Sequence, residues 1–256
     1  MKSFCFTVDD NIRCFKELTH GTYGSIFEHP YFNMYKRLHQ KYGVKVQLNL
    51  FYEVEGFDLS HMTDRYKDEW QDNSDWLKLS FHARIENVKP YEHAGYDEVS
   101  GDCQNVHREI VRFASPLALG RTTTLHYCLA THQGLGALKD NGVEGLLGLY
   151  GTEDSPRASY QNTAQECGLI RRGEIVSQNG VSYAGIDIIL NLHATEEILS
   201  RLNELKSRDF IKVMIHEQYF YPDYPRYQPN FEKKLSATFD FLTQNGFMST
   251  FFEEHL

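Results

Sequence analysis

The sequence predicts an α/β fold, with parallel strands joined by crossover helices and curled towards a barrel. Three observations lead there. Short apolar, strand-like runs alternate with helical patterns from end to end, which is the mark of βα units. The chain's 256 residues, 41% hydrophobic and 24% charged, are enough for a sizeable core. No linker, internal repeat or low-complexity tract divides residues 1–256, so one domain is expected.

The strand candidates are 3–9 (SFCFTVD), 44–52 (VKVQLNLFY), 76–82 (WLKLSFH), 124–130 (TLHYCLA), 143–149 (VEGLLGL), 184–190 (AGIDIIL) and 210–216 (FIKVMIH). Seven is one short of the usual eight-stranded barrel. Between them, HPYFNMYKRLHQKYG repeats its apolar residues at helical spacing (Phe32, Tyr35, Leu38) and stops at Gly43. YDEVSGDCQNVHREIVRFA puts Val99, Cys103, Val106, Ile110 and Phe113 on one face. HQGLGALKDNG, ATEEILSRLNELKSRD and PNFEKKLSATFDFLTQNG complete the helices, the last capped by Gly246. Residues 151–183 break the rhythm with glycines and polar residues, which predicts an inserted hairpin or long loop.

Composition removes several classes of function. A net charge of −9 argues against a nucleic-acid surface, and the longest apolar runs are too short to span a membrane. Five scattered cysteines with no CxxC pair, and no basic-then-apolar leader, predict reduced thiols in a cytoplasmic protein. Oligomeric state is not legible. Twelve histidines invite a search for metal ligands.

In barrels of parallel strands, functional side chains sit at the C-terminal strand ends. Here the first strand ends in Asp9 and Asp10, and the third in His82, with Glu86 four residues on. The last ends in His216-Glu217, and LHYCLATH supplies His126 and His132, both read as rim or structural residues. Adjacent acids ending a buried strand are costly without a partner. Carboxylate and imidazole converging on one rim would suit a divalent metal, with zinc the first expectation and manganese or cobalt the alternatives. One acid would then ligate and the other accept a proton.

The order of these motifs resembles the polysaccharide deacetylase superfamily (NodB homology, carbohydrate esterase family 4-like), as a divergent branch. The first motif of that family, T-F-D-D-G, reads Thr7-Val8-Asp9-Asp10-Asn11 here, and H-S/T-x-x-H reads His82-Ala83-Arg84-Ile85-Glu86. An arginine-then-proline motif is matched by Arg112 and Pro116 in RFASP, and a strand ending in Leu-x-His by VMIHEQ with His216. NGFMSTFF resembles the closing strand. The resemblance implies a distorted (β/α)7 barrel of the NodB-like deacetylase fold. It also implies Asp9 as base, Asp10 and His82 as metal ligands, His216 as general acid and Arg112 as the residue holding the catalytic aspartate. Glu86 stands where the family has its second histidine, and His93 in YEHAGY is a rival third ligand. The fourth motif's aspartate and tryptophan are missing, GLLGLYG occupying that strand, and the substrate loop is the tyrosine-dense EQYFYPDYPRYQP. Tyr219, Tyr221 and Tyr224 are candidate sugar-stacking residues.

The reading is a metal-dependent hydrolase removing an acyl group, most simply acetyl, from an amide nitrogen of a sugar or small metabolite. A non-catalytic carbohydrate-binding descendant is the alternative, and a non-sugar amide substrate a third reading.

Overall fold

The computed structural model describes residues 2–86, 91–148 and 159–256. The strands are β1 (Ser3–Asn11), β2 (Val46–Phe51), the short hairpin β3 (Glu53–Val54) and β4 (Phe57–Asp58), β5 (Leu77–Ala83), β6 (Thr122–Thr123), β7 (Gly145–Leu147), β8 (Val176–Gln178), β9 (Val181–Ala184), β10 (Ile188–Ile189), β11 (Phe210–His216) and β12 (Met248–Ser249). The α-helices are α1 (Arg13–His20), α2 (Pro30–Tyr42), α3 (Lys67–Asp72), α4 (Tyr96–Phe113), α5 (His132–Asp140), α6 (Ala164–Arg171), α7 (Thr195–Leu205) and α8 (Phe231–Gln244).

Parallel pairing runs β10-β11-β1-β2-β5, and β12 also pairs with β1. A parallel bridge from Leu79 to Leu119 and a hydrogen bond from Thr123 Oγ1 to the Phe81 carbonyl carry the wall on to β6, then β7 and β9. The two ends of this run, β9 and β10, are separated by only residues 185–187. The result is a distorted (β/α)7 barrel.

All nine residues of β1 are buried, so its two faces both pack. Phe4 and Phe6 turn outward onto Phe239 of α8 and Tyr35 of α2. The alternate residue Cys5 turns inward, in a small cluster with Leu147, Ala184 and Phe252. Strand periodicity therefore aims Thr7 and Asp9 into the barrel as well. Gly43 ends α2 and Gly246 follows α8, both left-handed as the sequence predicts (φ 65° and 79°).

Two expectations are corrected, and one helix is new. The strand expected at 124–130 is absent: β6 stops at Thr123, and Tyr127 and Cys128 are left-handed (φ 62° and 53°), which a pleated strand cannot accommodate. The run 184–190 is split between β9 and β10. Helix α1, which the sequence reading did not anticipate, packs Cys14, Phe15 and Leu18 into the core. Of the irregular stretch, 151–158 lies outside the described residues, while 159–183 holds α6 and the antiparallel pair β8–β9. All five cysteines are free thiols. No described helix is long and apolar enough to cross a membrane.

Candidate metal centre

The site forms where β1 ends. Asp9 lies in register with His216 at the end of β11. The pairing of β1 with β2 is bulged between Val8 and Asn11, and Asp10 is left-handed (φ 66°). Asn11 stitches the bulge: its amide donates to the carbonyls of Val8 (2.6 Å) and Asn49 (3.1 Å), and Tyr31 Oη donates to its oxygen (2.7 Å). A bulge re-aims side chains, and here it lets two consecutive acids face one cavity.

The far side is fixed by Glu217. Its buried carboxylate accepts from the backbone N–H groups of Ile12 (2.8 Å), Arg13 (3.1 Å) and Cys14 (2.7 Å), and from Tyr221 Oη (2.9 Å). These are the otherwise unsatisfied donors that open α1, which has no side-chain cap of its own. The end of β11 is thereby tied to the segment following the two aspartates.

Asp10, His82 and His126 converge. Asp10 Oδ1 lies 3.0 Å from His82 Nε2 and 3.4 Å from His126 Nδ1, and the two ring nitrogens are 3.1 Å apart. Each offers one ligand-type atom, all within 4.8 Å of one another. His82 Nδ1 lies 2.5 Å from the Thr124 carbonyl, so it carries a proton there. The lone pair of a neutral His82 Nε2 then faces a carboxylate oxygen and a second imidazole nitrogen. A carboxylate oxygen and two ring nitrogens meeting with little water need a proton or a cation between them, supplied either by an N–H of one imidazole or by a metal ion. A histidine whose other nitrogen is held by a backbone carbonyl is the usual arrangement around a metal, so this donor set fits a divalent cation. Gln218 Nε2 donates to the second Asp10 oxygen (2.6 Å), leaving Oδ1 for the centre.

The electrostatics follow. Burial raises the Asp9 carboxyl above its usual range and Asp10 raises it further, against His82 and His216, which pull it down. Burial would also raise Asp10, but hydrogen bonds from His126 and His82 outweigh it and hold that carboxyl well below the ordinary range. Burial lowers the imidazole of His126. At His82 burial acts the same way, but Asp9 and Asp10 outweigh it and the group is raised.

The remaining candidates divide. Asp9 accepts a hydrogen bond from Asn49 Nδ2 (2.7 Å) and lies outside the converging trio. His216 Nδ1 is 2.9 Å from Asn191 Oδ1, which fixes the ring and leaves Nε2 for the cavity it lines. Glu86, read as the third ligand, is half-buried in the cavity wall, while the third ligand-type atom beside Asp10 and His82 belongs to His126. The turn at Tyr127 and Cys128 that replaces the expected strand accompanies this inward placement of His126. His93 and His132 are exposed. Arg112 does not reach Asp9: its guanidinium binds Glu109 (2.5 Å) and the Leu59 and Ser60 carbonyls (2.9 and 3.2 Å). Tyr219 and Tyr224 line the cavity, whereas Tyr221 is buried against Glu217 and borders an adjoining recess. The cavity measures about 550 Å³, and Ile186, Ile189, Leu192 and Met214 form an apolar wall in it. Asn49, Asn191 and Gln218 are not anticipated from the sequence, which places His126 among rim or structural residues and gives Glu217 no role. Buried polar residues inside apolar strands (Gln47 and Asn49 in VQLNLF) and the contiguous HEQ were the available signals.

No protein-family model and no curated protein matches the sequence. Solved structures do match. A family 4 acetyl xylan esterase from Clostridium thermocellum, in complex with cobalt, superposes with a TM-score of 0.54 at 11% identity, over 99% of this chain and 89% of that one. The chain has the polysaccharide deacetylase fold. A CE4 family pseudoenzyme from Bacillus anthracis shares the deacetylase fold at a TM-score of 0.52 and 11% identity; 99% of this chain is covered, spanning 64% of that one. A 4-α-glucanotransferase from Thermococcus litoralis matches at 0.63 and 16% identity, over 99% of this chain and 40% of that one. The deacetylase fold is thus shared with other chemistry, and function has to be argued from the site.

Proposed function

We propose that the protein is a metal-dependent hydrolase that removes an acyl group, acetyl in the simplest case, from an amide nitrogen of a sugar or related small metabolite. The observation that carries this is the convergence of buried Asp10 and His82 with the partly buried His126, beside an aspartate that is not part of it. Two imidazoles and one carboxylate suit zinc, and tolerate cobalt or manganese. When bound, a divalent cation would supply Lewis-acid polarisation of a carbonyl and a lowered pKa for water. Asp10, His82 and His126 would hold the cation, with Gln218 orienting Asp10 and the Thr124 carbonyl orienting His82. Asp9, raised by burial and anchored at one oxygen, accepts the proton of the attacking water. His216, fixed by Asn191, donates a proton from Nε2 to the departing amine, which leaves poorly as an anion. Tyr219 and Tyr224 offer ring faces to a pyranose.

The test is a screen of N-acetylated sugars and acyl-amide metabolites with zinc or cobalt present. Turnover is expected, reduced ~10²–10⁴-fold by Asp9→Asn and by His216→Ala. Ligand-dependent stabilisation without product would replace the enzyme by a carbohydrate-binding descendant of the fold. Turnover that survives Asp9→Asn unchanged would overturn the division of roles between the two acids.

A further inference from the structure

Asp9 and Asp10 are neighbours in sequence and face one cavity, yet only Asp10 joins the histidines. Something keeps Asp9 apart. Among the described residues its side chain has one hydrogen-bond partner, Asn49 Nδ2 at 2.7 Å. Asn49 is fully buried on β2, and its amide cannot turn over. Asn49 Oδ1 accepts from Gln47 Nε2 (2.9 Å), which also donates to the Thr122 carbonyl (2.9 Å). Thr122 Oγ1 in turn donates to Gln47 Oε1 (3.0 Å). Rotating Gln47 by half a turn would set its oxygen against the Thr122 carbonyl and Asn49 Oδ1, and rotating Asn49 would set its oxygen against Asp9. Each reversal leaves buried acceptors facing one another, at a cost that forbids it. The chain of amides therefore has one direction, from the Thr122 hydroxyl to the Asp9 carboxylate.

We infer that Asn49, oriented by Gln47, is a positioning residue that holds Asp9 out of the metal's ligand set and reserves it as proton acceptor. The inference rests on the metal centre proposed above. Arginine in this place would neutralise the carboxylate, whereas a neutral amide orients it and leaves its charge intact. Arg112 being engaged elsewhere, the neighbouring strand supplies the tether.

The consequence concerns the metal and needs no substrate. In Asn49→Leu, Asp9 is left buried without a donor, and the next partner open to it is the cation at Asp10. Cobalt-loaded protein reads this directly: an added carboxylate ligand raises the coordination number and weakens the visible d–d absorption. Cobalt affinity is expected to rise ~10-fold, the scale on which groups around a metal tune its binding. In an Asp9→Asn background the same substitution should change neither, because the carboxylate that moves is gone. Gln47→Leu frees the Asn49 amide to turn and should shift both readings the same way by less, which keeps the test available if Asn49→Leu does not fold. A cobalt spectrum and affinity equal to wild type in both single variants, or a change that persists with Asp9→Asn, overturns the positioning role. Failure of the wild-type protein to bind cobalt at all overturns the metal centre itself, and the role with it.

Discussion

Metal binding should be visible as thermal stabilisation, and its size separates two ligand sets. A ligand that binds only the folded state at 100 times its Kd adds ~2.7 kcal/mol. An unfolding entropy of ~2.1 cal/mol/K per residue gives about 0.54 kcal/mol/K for 256 residues, so Tm should rise by ~5 °C. His126→Ala removes one of three ligand atoms that converge within 4.8 Å. If affinity falls by ~100-fold, the same zinc concentration equals the new Kd, stabilisation drops to ~0.4 kcal/mol and the shift to under ~1 °C. Glu86→Ala, which leaves that trio complete, should retain most of the shift, and His93→Ala all of it. The assay is a melting curve of chelator-stripped protein titrated with buffered zinc. A shift lost in Glu86→Ala but kept in His126→Ala would refute the reasoning and return the third ligand to the residue chosen from sequence.

Other outcomes follow from buried charges. Glu217→Ala leaves three backbone donors and the Tyr221 hydroxyl without their acceptor, and should cost ~3–5 kcal/mol in urea unfolding, as removal of one partner from a buried charged network does. Asp187→Ala strands Lys212, fully buried and 2.9 Å from that carboxylate, and should cost a similar ~3–5 kcal/mol. Burial lowers His107 from 6.5 to about 4. The unfolded chain therefore takes up this proton first as pH falls. The associated stability is complete above 6.5 and is lost on descent towards 4, by up to ~3 kcal/mol at ~1.36 kcal/mol per pH unit. Comparing unfolding at pH 7 and 4.5 in wild type and His107→Leu checks this, the variant losing less. Tyr224→Ala should weaken ligand binding with little effect on stability, whereas Tyr221→Ala should destabilise, because its hydroxyl is spent on Glu217.

What the sequence announced were the long buried strands. Strands β1, β5 and β11 each end a run of apolar residues in acid or histidine, so Asp9, Asp10, His82 and His216 stood out. Less legible were places where tertiary contacts overrule local pattern. The alternation of TLHYCLA reads as a strand, and nothing in Tyr127-Cys128 signals left-handed backbone as glycine or asparagine would. That misreading put His126 on the rim. Helix α1 starts at Arg13 after Ile12, whose side chain cannot cap it, and the capping carboxylate is Glu217, more than 200 residues away. Arg112 matched a motif, but its nearest acid is Glu109, one helical turn before it.

The left-handed backbone at Asp10 has an evolutionary consequence. Only glycine, asparagine and aspartate visit this region readily, and other side chains add strain on the order of 1–3 kcal/mol. A lineage abandoning the proposed chemistry would thus have two smooth exits, Asp10→Asn and Asp10→Gly, each of which keeps the bulge, the Asn11 stitches and the barrel rim while removing the carboxylate proposed to hold the cation. Inactive descendants of such a protein should be recognisable by one of those two letters after Asp9, with the surrounding strands otherwise undisturbed.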